Sequence, residues 1–275
     1  MTNRKYNIGI FDSGYGGLTI LKEIEKLLPE YNFIYLGDNA RAPYGNRSFE
    51  TVYKYTLEAV TKLFELNCNI ILLACNTASA KALRTIQQKD LEIIAPGRRV
   101  LGVIRPCTEA IDSISTSKHI GILGTVGTIK SHSYVIEIEK MYPHITVVQE
   151  ACPMWVPLVE NNESFSDGAN YFVRKNITNL LNKDIAIDTI ILGCTHYPLL
   201  INKIKQYTPQ GITIMNQGEI VAKSFQNYLM RHPELESQCI KKGERQYYTT
   251  DSIELFDTMG SLFIEKPIES KQIVL

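Results

Sequence analysis

A chain of 275 residues, 44% hydrophobic and 21% charged, has enough apolar surface for one large or two ordinary globular domains, which excludes a disulfide-stapled miniprotein and a disordered chain. Lys plus Arg and Asp plus Glu each number 29, for a formal charge of zero, and without a basic excess nucleic acid is disfavoured as the main ligand. No apolar run approaches the roughly 18 residues of a membrane span, the opening MTNRKYNIGIFDSG lacks the apolar stretch of a signal peptide, and six cysteines without an export signal read as reduced thiols in the cytoplasm.

In chain order, Asn7–Phe11 reads as a buried strand, and Leu18, Leu21, Ile24 and Leu28 mark one face of a helix. Phe33–Leu36 is a second strand. Val52, Val60, Leu63 and Phe64 fit a second helix with Asn67 as its stop, and Asn69–Ala74 is a third strand followed by a helix through about Gln88. This rhythm predicts an α/β fold with a mostly parallel sheet. Ala95–Arg99 is a turn-rich break. Beyond it, strands are expected at His119–Gly124, Ile145–Gln149 and Thr189–Gly193, with helices near Ile129–Met141, Asp167–Asn182 and Pro198–Tyr207. Strand Ile212–Met215, helix Glu219–Arg231, strand Arg245–Thr250 and helix Ile253–Phe263 complete the chain.

The chain echoes itself. NIGIFDS at 7–13 matches HIGILGT at 119–125, and IILLACNT at 70–77 matches IILGCTH at 190–196. Each pair is a strand running into a polar loop, so two similar halves each present one cysteine, Cys75 or Cys194, at a strand's C-terminal end, where ligands bind in open α/β sheets. The expected architecture is two pseudo-symmetric open α/β domains with the site in the cleft between them. The first comprises residues 1–98 and about 212–275, carrying Asp12 and Cys75; the second comprises 99–211, carrying Cys194 and His196.

Cys75 precedes Asn76 and Thr77, good helix N-cap residues, and a helix N-terminus is expected to lower a thiol's pKa. Cys194 repeats the layout, followed by Thr195, His196 and, at a first helical turn, Pro198. A lone cysteine in such a place is most often a small buried hydrophobe; two in matching contexts favour chemistry. His196 titrates near neutrality and can bond a thiol or a substrate group. Asp12 ends the first strand in DSGYGG, whose glycines fit amides aimed at an anion or a tight turn; the motif is neither a dinucleotide fingerprint nor a Walker loop. Pro43, Tyr44 and Gly45 suggest a rigid loop whose amides could meet a carboxylate. Thr125 and Thr128 take the place of the Asp12 loop in the second half. No metal-binding spacing is present.

DSGYGG at 12–17, PYG at 43–45, CNTASA at 75–80 and GCTHYPLL at 193–200, in this order and with CPMWVPLVE at 152–160, resemble the motif set of the bacterial glutamate racemases within the aspartate/glutamate racemase superfamily. The likeness runs from residue 7 to about 230. It implies a cofactor-independent amino-acid racemase that makes D-glutamate for peptidoglycan, with Cys75 and Cys194 as the acid–base pair. Asp12 would tune Cys75 and His196 would tune Cys194, completing the catalytic set. The substrate contacts it implies are Asp12, Ser13, Tyr44, Gly45, Asn76, Thr77, Thr195 and His196, with Thr125 added from its place in the second half. The partner expected is a small-molecule substrate, with neither nucleic acid nor membrane; a homodimer is the assembly considered. Asn39, Arg105 and Cys107 depart from the family pattern and bear on domain contacts. The alternatives are a racemase of the same superfamily acting on aspartate or another amino acid, a Cys–His hydrolase or transferase using Cys194 or Cys75 with His196, and a non-catalytic amino-acid-binding protein.

Overall fold

The computed structural model describes residues 5–275. Among these residues ten strands form two sheets with every pairing parallel. The first contains β1 (Asn7–Asp12), β2 (Phe33–Gly37), β3 (Cys68–Leu73), β4 (Arg99–Gly102), β9 (Arg245–Thr249) and β10 (Ser270–Gln272), in the order β10-β9-β2-β1-β3-β4. The second contains β5 (His119–Gly124), β6 (Thr146–Ala151), β7 (Thr189–Gly193) and β8 (Thr213–Met215), in the order β6-β5-β7-β8. Four strands of the first sheet therefore repeat the topology of the second. The registers repeat as well: Phe11 stands opposite Leu73, and Leu123 opposite Leu192.

Parallel strands covered on both faces are apolar along their whole length, which is why the expected strands stood out as continuous runs. In β1, Ile8 and Ile10 join the core under helix Leu18–Leu27, while Phe11 joins the core under helix Phe49–Glu65 with Val52, Val60 and Leu63. Helix Gln217–Arg231 packs on Leu18–Leu27 and so ties the chain beyond β8 back to the first sheet.

Two strands cross the expected boundaries. Arg99–Gly102 pairs with β3 in the first sheet, and Thr213–Met215 pairs with β7 in the second, so the division by sheet falls beyond residue 102 and beyond residue 215 instead of at 98 and about 212. The turn at Ala95–Arg99 is real, with Gly97 at φ +77°, but its last residue already begins β4. Helix Ile104–Ile114 was not anticipated; Ile104, Cys107, Thr108 and Ile111 are its buried stripe at helical spacing, with Pro106 in the first turn, where its missing N–H costs nothing. Helix Trp155–Glu160 and the short edge strand β10 were not anticipated either. Among the described residues no helix is long and apolar enough to cross a membrane.

Candidate active site

The C-terminal ends of β1, β3, β5 and β7 meet around one cavity. Ser13, Tyr44, Gly45, Cys75, Asn76, Thr77, Thr125, Cys194, Thr195 and His196 all line it, joined by Cys152, Val156 and Glu160 from the segment after β6. Its volume is about 50 Å3, room for a handful of waters. A larger groove of about 690 Å3 lies at the opposite, N-terminal ends of β1 and β9 and holds none of the candidate residues.

Cys75 is itself the N-cap of helix Asn76–Lys81. Its Sγ accepts from the Ala78 amide at 3.5 Å and lies 3.4 Å from Ser13 Oγ. The expectation that the helix terminus lowers this thiol's pKa is corrected here. Burial, seconded by the charge of Asp12, pushes Cys75 up to about 12 against the bonds from Ser13 and Ala78, because desolvating a thiolate outweighs one amide and one hydroxyl. Cys75 therefore rests as a thiol.

The second loop differs in kind. After β7 the chain enters a 3-10 turn, Tyr197–Leu200, with Pro198 in its first positions, before helix Ile201–Tyr207. The partner of Cys194 Sγ is His196 Nδ1 at 3.9 Å, while His196 Nε2 meets Glu160 Oε1 at 2.9 Å. Burial works against the imidazolium, yet Cys194 and Glu160 together lift His196 to about 10. The two thiols thus sit in opposite electrostatic settings, Cys75 beside the carboxyl of Asp12 and Cys194 beside a cation.

Asp12 lies behind the cavity wall, 1% exposed. Its Oδ1 accepts from the Gly14 amide at 2.9 Å and its Oδ2 faces Thr195 Oγ1 at 3.5 Å, so it touches the second half's loop and not the cavity. A glycine is required at position 16, where a Cβ would stand 2.2 Å from Thr195 Oγ1 and 2.5 Å from His196 Nδ1. The DSGYGG glycines thus let the two halves' loops approach each other. Burial raises Asp12 to about 6, against the His196 charge and the amides of Gly14 and Gly17. A folded pKa above the ordinary 3.8 means that the fold gains from the proton; this stability is full below that value and is lost as pH rises through about 6. Asp12→Asn is accordingly expected to raise the unfolding free energy at pH 8 by about 1–3 kcal/mol, seen as a higher urea midpoint. A midpoint that falls at pH 8 would contradict this account of Asp12.

The 38–48 loop is fixed by Asp38, fully buried, which accepts from Arg41 Nε at 2.7 Å, from Thr250 Oγ1 at 2.9 Å and from the Tyr44 hydroxyl. The Tyr44 phenol is thereby engaged by Asp38, and Tyr44 and Gly45 both line the cavity. Gly45 O accepts from Gly127 N of the second half at 2.7 Å. Thr77, Thr125 and Thr128 bring three buried hydroxyls together across the halves, 3.0 Å between Thr77 and Thr125 and 3.1 Å between Thr125 and Thr128. Of the three departures from the family pattern, Asn39 accepts from Thr249 Oγ1 at 3.2 Å, Arg105 is exposed and pairs with Glu109, and Cys107 is fully buried.

Sequence reasoning missed Glu160. It lies in the quoted CPMWVPLVE segment, but nothing in that apolar run marks its one carboxylate as a partner for a histidine beyond β7. The expected residues do converge, with two changes: Asp12 stands behind the wall, and the Asn76 side chain turns away into the protein.

A family profile described as Asp/Glu/Hydantoin racemase matches residues 9–224. A glutamate racemase of Bacillus cereus is 39% identical over 267 residues, 96% of this chain and 94% of that one. The solved glutamate racemase isoform RacE1 of Bacillus anthracis superposes with TM-score 0.88 at 33% identity, over 98% of both chains. That of Francisella tularensis, solved with D-glutamate, gives TM-score 0.87 at 28% identity, again over 98% of both.

Proposed function

The chain belongs to the Asp/Glu/hydantoin racemase family, and from that premise we propose that it interconverts L- and D-glutamate by a two-thiol, two-base mechanism that needs no cofactor. The observation that carries the reading is that the internal repeat presents one cysteine from each half to one cavity. Inverting a stereocentre requires a base on one face and an acid on the other, and two opposed thiols provide both.

In the L-to-D direction the Cys194 thiolate takes the α-proton and becomes a thiol. The electron pair of the broken C–H bond spreads into the α-carboxylate as an enediolate, and the Cys75 thiol delivers its proton to the opposite face, leaving a thiolate there. The reverse direction exchanges the roles. The resting thiol on Cys75 and the cation beside Cys194 suit the enzyme to receive the L-enantiomer first. An α-proton is a very weak acid, so general acid–base help of about 10²–10⁴-fold per group must be joined by preorganised donors to the developing charge and by exclusion of water from a tight cavity. Candidate donors are the backbone amides at Asn76 and Thr77 and the hydroxyls of Ser13, Thr77, Thr125 and Thr195. Asp12 and His196 act through the thiols, and Glu160 joins them by holding His196. D-glutamate so formed feeds peptidoglycan synthesis in this reading, as the likeness to glutamate racemases implies. A Cys–His hydrolase leaves the Cys75–Ser13 pair without a task.

Incubation of the protein with L-glutamate in D2O, without cofactor and with chelator present, is expected to abolish optical rotation while the α-position becomes deuterated; L-aspartate in parallel keeps both its rotation and its α-proton. No α-deuteration of glutamate would overturn the reading, and deuteration of aspartate alone would move the substrate within the family.

A further inference from the structure

Resting on the racemase reading, we propose that Tyr134 and Gln217 are positioning residues that set the spacing of the two thiol loops. Asn76 directly follows Cys75. Its Nδ2 donates to Gln217 Oε1 at 2.8 Å, and its Oδ1 accepts from Gln217 Nε2 at 3.1 Å and from the Tyr134 hydroxyl at 2.7 Å. The two amides thus form a closed reciprocal pair. The phenol is its third member, because Gln217 Nε2 also bonds the Tyr134 oxygen. Asn76, Gln217 and Tyr134 are 2%, 3% and 0% exposed.

The other end of the unit reaches the second thiol. The Tyr134 ring is seated over Gly193, with Cε2 only 3.4 Å from where a Cβ at that residue would stand, and Gly193 directly precedes Cys194. One buried hydrogen-bonded unit therefore touches the residue after one thiol and the residue before the other. Each member comes from a different part of the chain: Asn76 opens helix Asn76–Lys81 of the first half, Tyr134 comes from helix Ser133–Met141, and Gln217 from the first turn of helix Gln217–Arg231, where the chain returns to the first sheet. Separating the halves at this point strands buried donors and acceptors with no water to replace them, so the unit holds one arrangement. Proton transfer at two opposite faces is sensitive to such a spacer, since an error near 1 Å in placement can cost on the order of 10²-fold.

The test uses the full chain with Tyr134→Phe, which removes one oxygen and keeps the ring over Gly193, and Gln217→Met, which removes the amide partner. For each, kcat and KM for L-glutamate per folded molecule are measured with the α-deuterium isotope effect on kcat. The spacer role gives kcat lower by about 10-fold, KM within about 3-fold of the parent's, and a larger isotope effect, because proton transfer is the step that suffers. If kcat per folded molecule stays within about 2-fold of the parent's in both variants, or falls with an unchanged or smaller isotope effect, the proposal is overturned and the unit serves stability alone. A parent protein that racemises nothing defeats the function itself and not this spacer.

Discussion

Replacing either cleft thiol with alanine is expected to lower racemisation by at least about 10³-fold, while each variant keeps one half of the proton chemistry. With Cys75→Ala, Cys194 can still remove and return a proton on its own face, so solvent deuterium enters L-glutamate with retention and D-glutamate stays unlabelled. With Cys194→Ala the pattern inverts. The losses differ in cause: without Cys75 the carbanion lacks its acid, and without Cys194 it lacks its base. Circular dichroism follows the racemisation, and proton NMR in D2O follows the α-position of each enantiomer separately. The opposed settings of the thiols make the two exchange rates unequal. Cys75, held at about 12 by burial and the charge of Asp12, is a poor source of thiolate near neutrality, and among the described residues no cation stands against it as His196 stands against Cys194, so exchange into D-glutamate in Cys194→Ala is expected to be the slower. A Cys194→Ala enzyme that racemises at the parental rate, or exchange into both enantiomers by either variant, is incompatible with one base per face.

The pairing of Cys75 with Cys194 is legible in the sequence because a parallel strand buried on both faces leaves an unbroken apolar run, and a repeated run followed by Cys and a polar residue identifies two equivalent strand ends. Isoleucine, leucine and the cysteine itself carry that signal. What the sequence could not carry was the difference between the halves. Asn76–Thr77 and Thr195–His196 look like equivalent continuations, yet the first opens an α-helix capped by the cysteine sulfur and the second a 3-10 turn in which the sulfur meets an imidazole. That difference comes from tertiary contacts, the Glu160 carboxylate above all, and tertiary contacts leave no periodicity. The same holds for Gly16. Its motif reads as an anion nest or a turn, and only the approach of Thr195 and His196 shows why a side chain cannot fit there. Gln217 was invisible for a related reason: a glutamine at the start of a surface-type helix is ordinarily solvated, and its burial follows from where the chain crosses between the sheets.

The largest effect expected outside the thiol pair belongs to His196. It stands between Cys194 at 3.9 Å and Glu160 at 2.9 Å, and its ring meets that of Phe263 in a T-shaped contact, 5.2 Å between centroids. Removing the imidazole takes away the cation that faces Cys194 and the group that links it to Glu160, so His196→Asn is expected to lower kcat/KM by about 10²–10³-fold. The sign of the pH dependence follows from the direction of the shift. A histidine raised to about 10 keeps its proton through neutrality and loses it only as pH rises through that value, so the parent's kcat/KM should hold on the alkaline side until then and fall beyond it. Below about 6 the protonation of Asp12 removes a charge that faces both thiol loops and sets the acid limb. Glu160→Gln takes away the carboxylate in contact with the imidazole while preserving shape. Its alkaline limb should move to lower pH by roughly one unit or more, the shift expected from losing an opposite charge at contact, with the acid limb left in place. The pH profiles of the parent and this variant decide the matter: an alkaline limb that stays put in Glu160→Gln means that the carboxylate does not sustain the charge on His196, and the asymmetry between the two thiols then has to come from Asp12 alone.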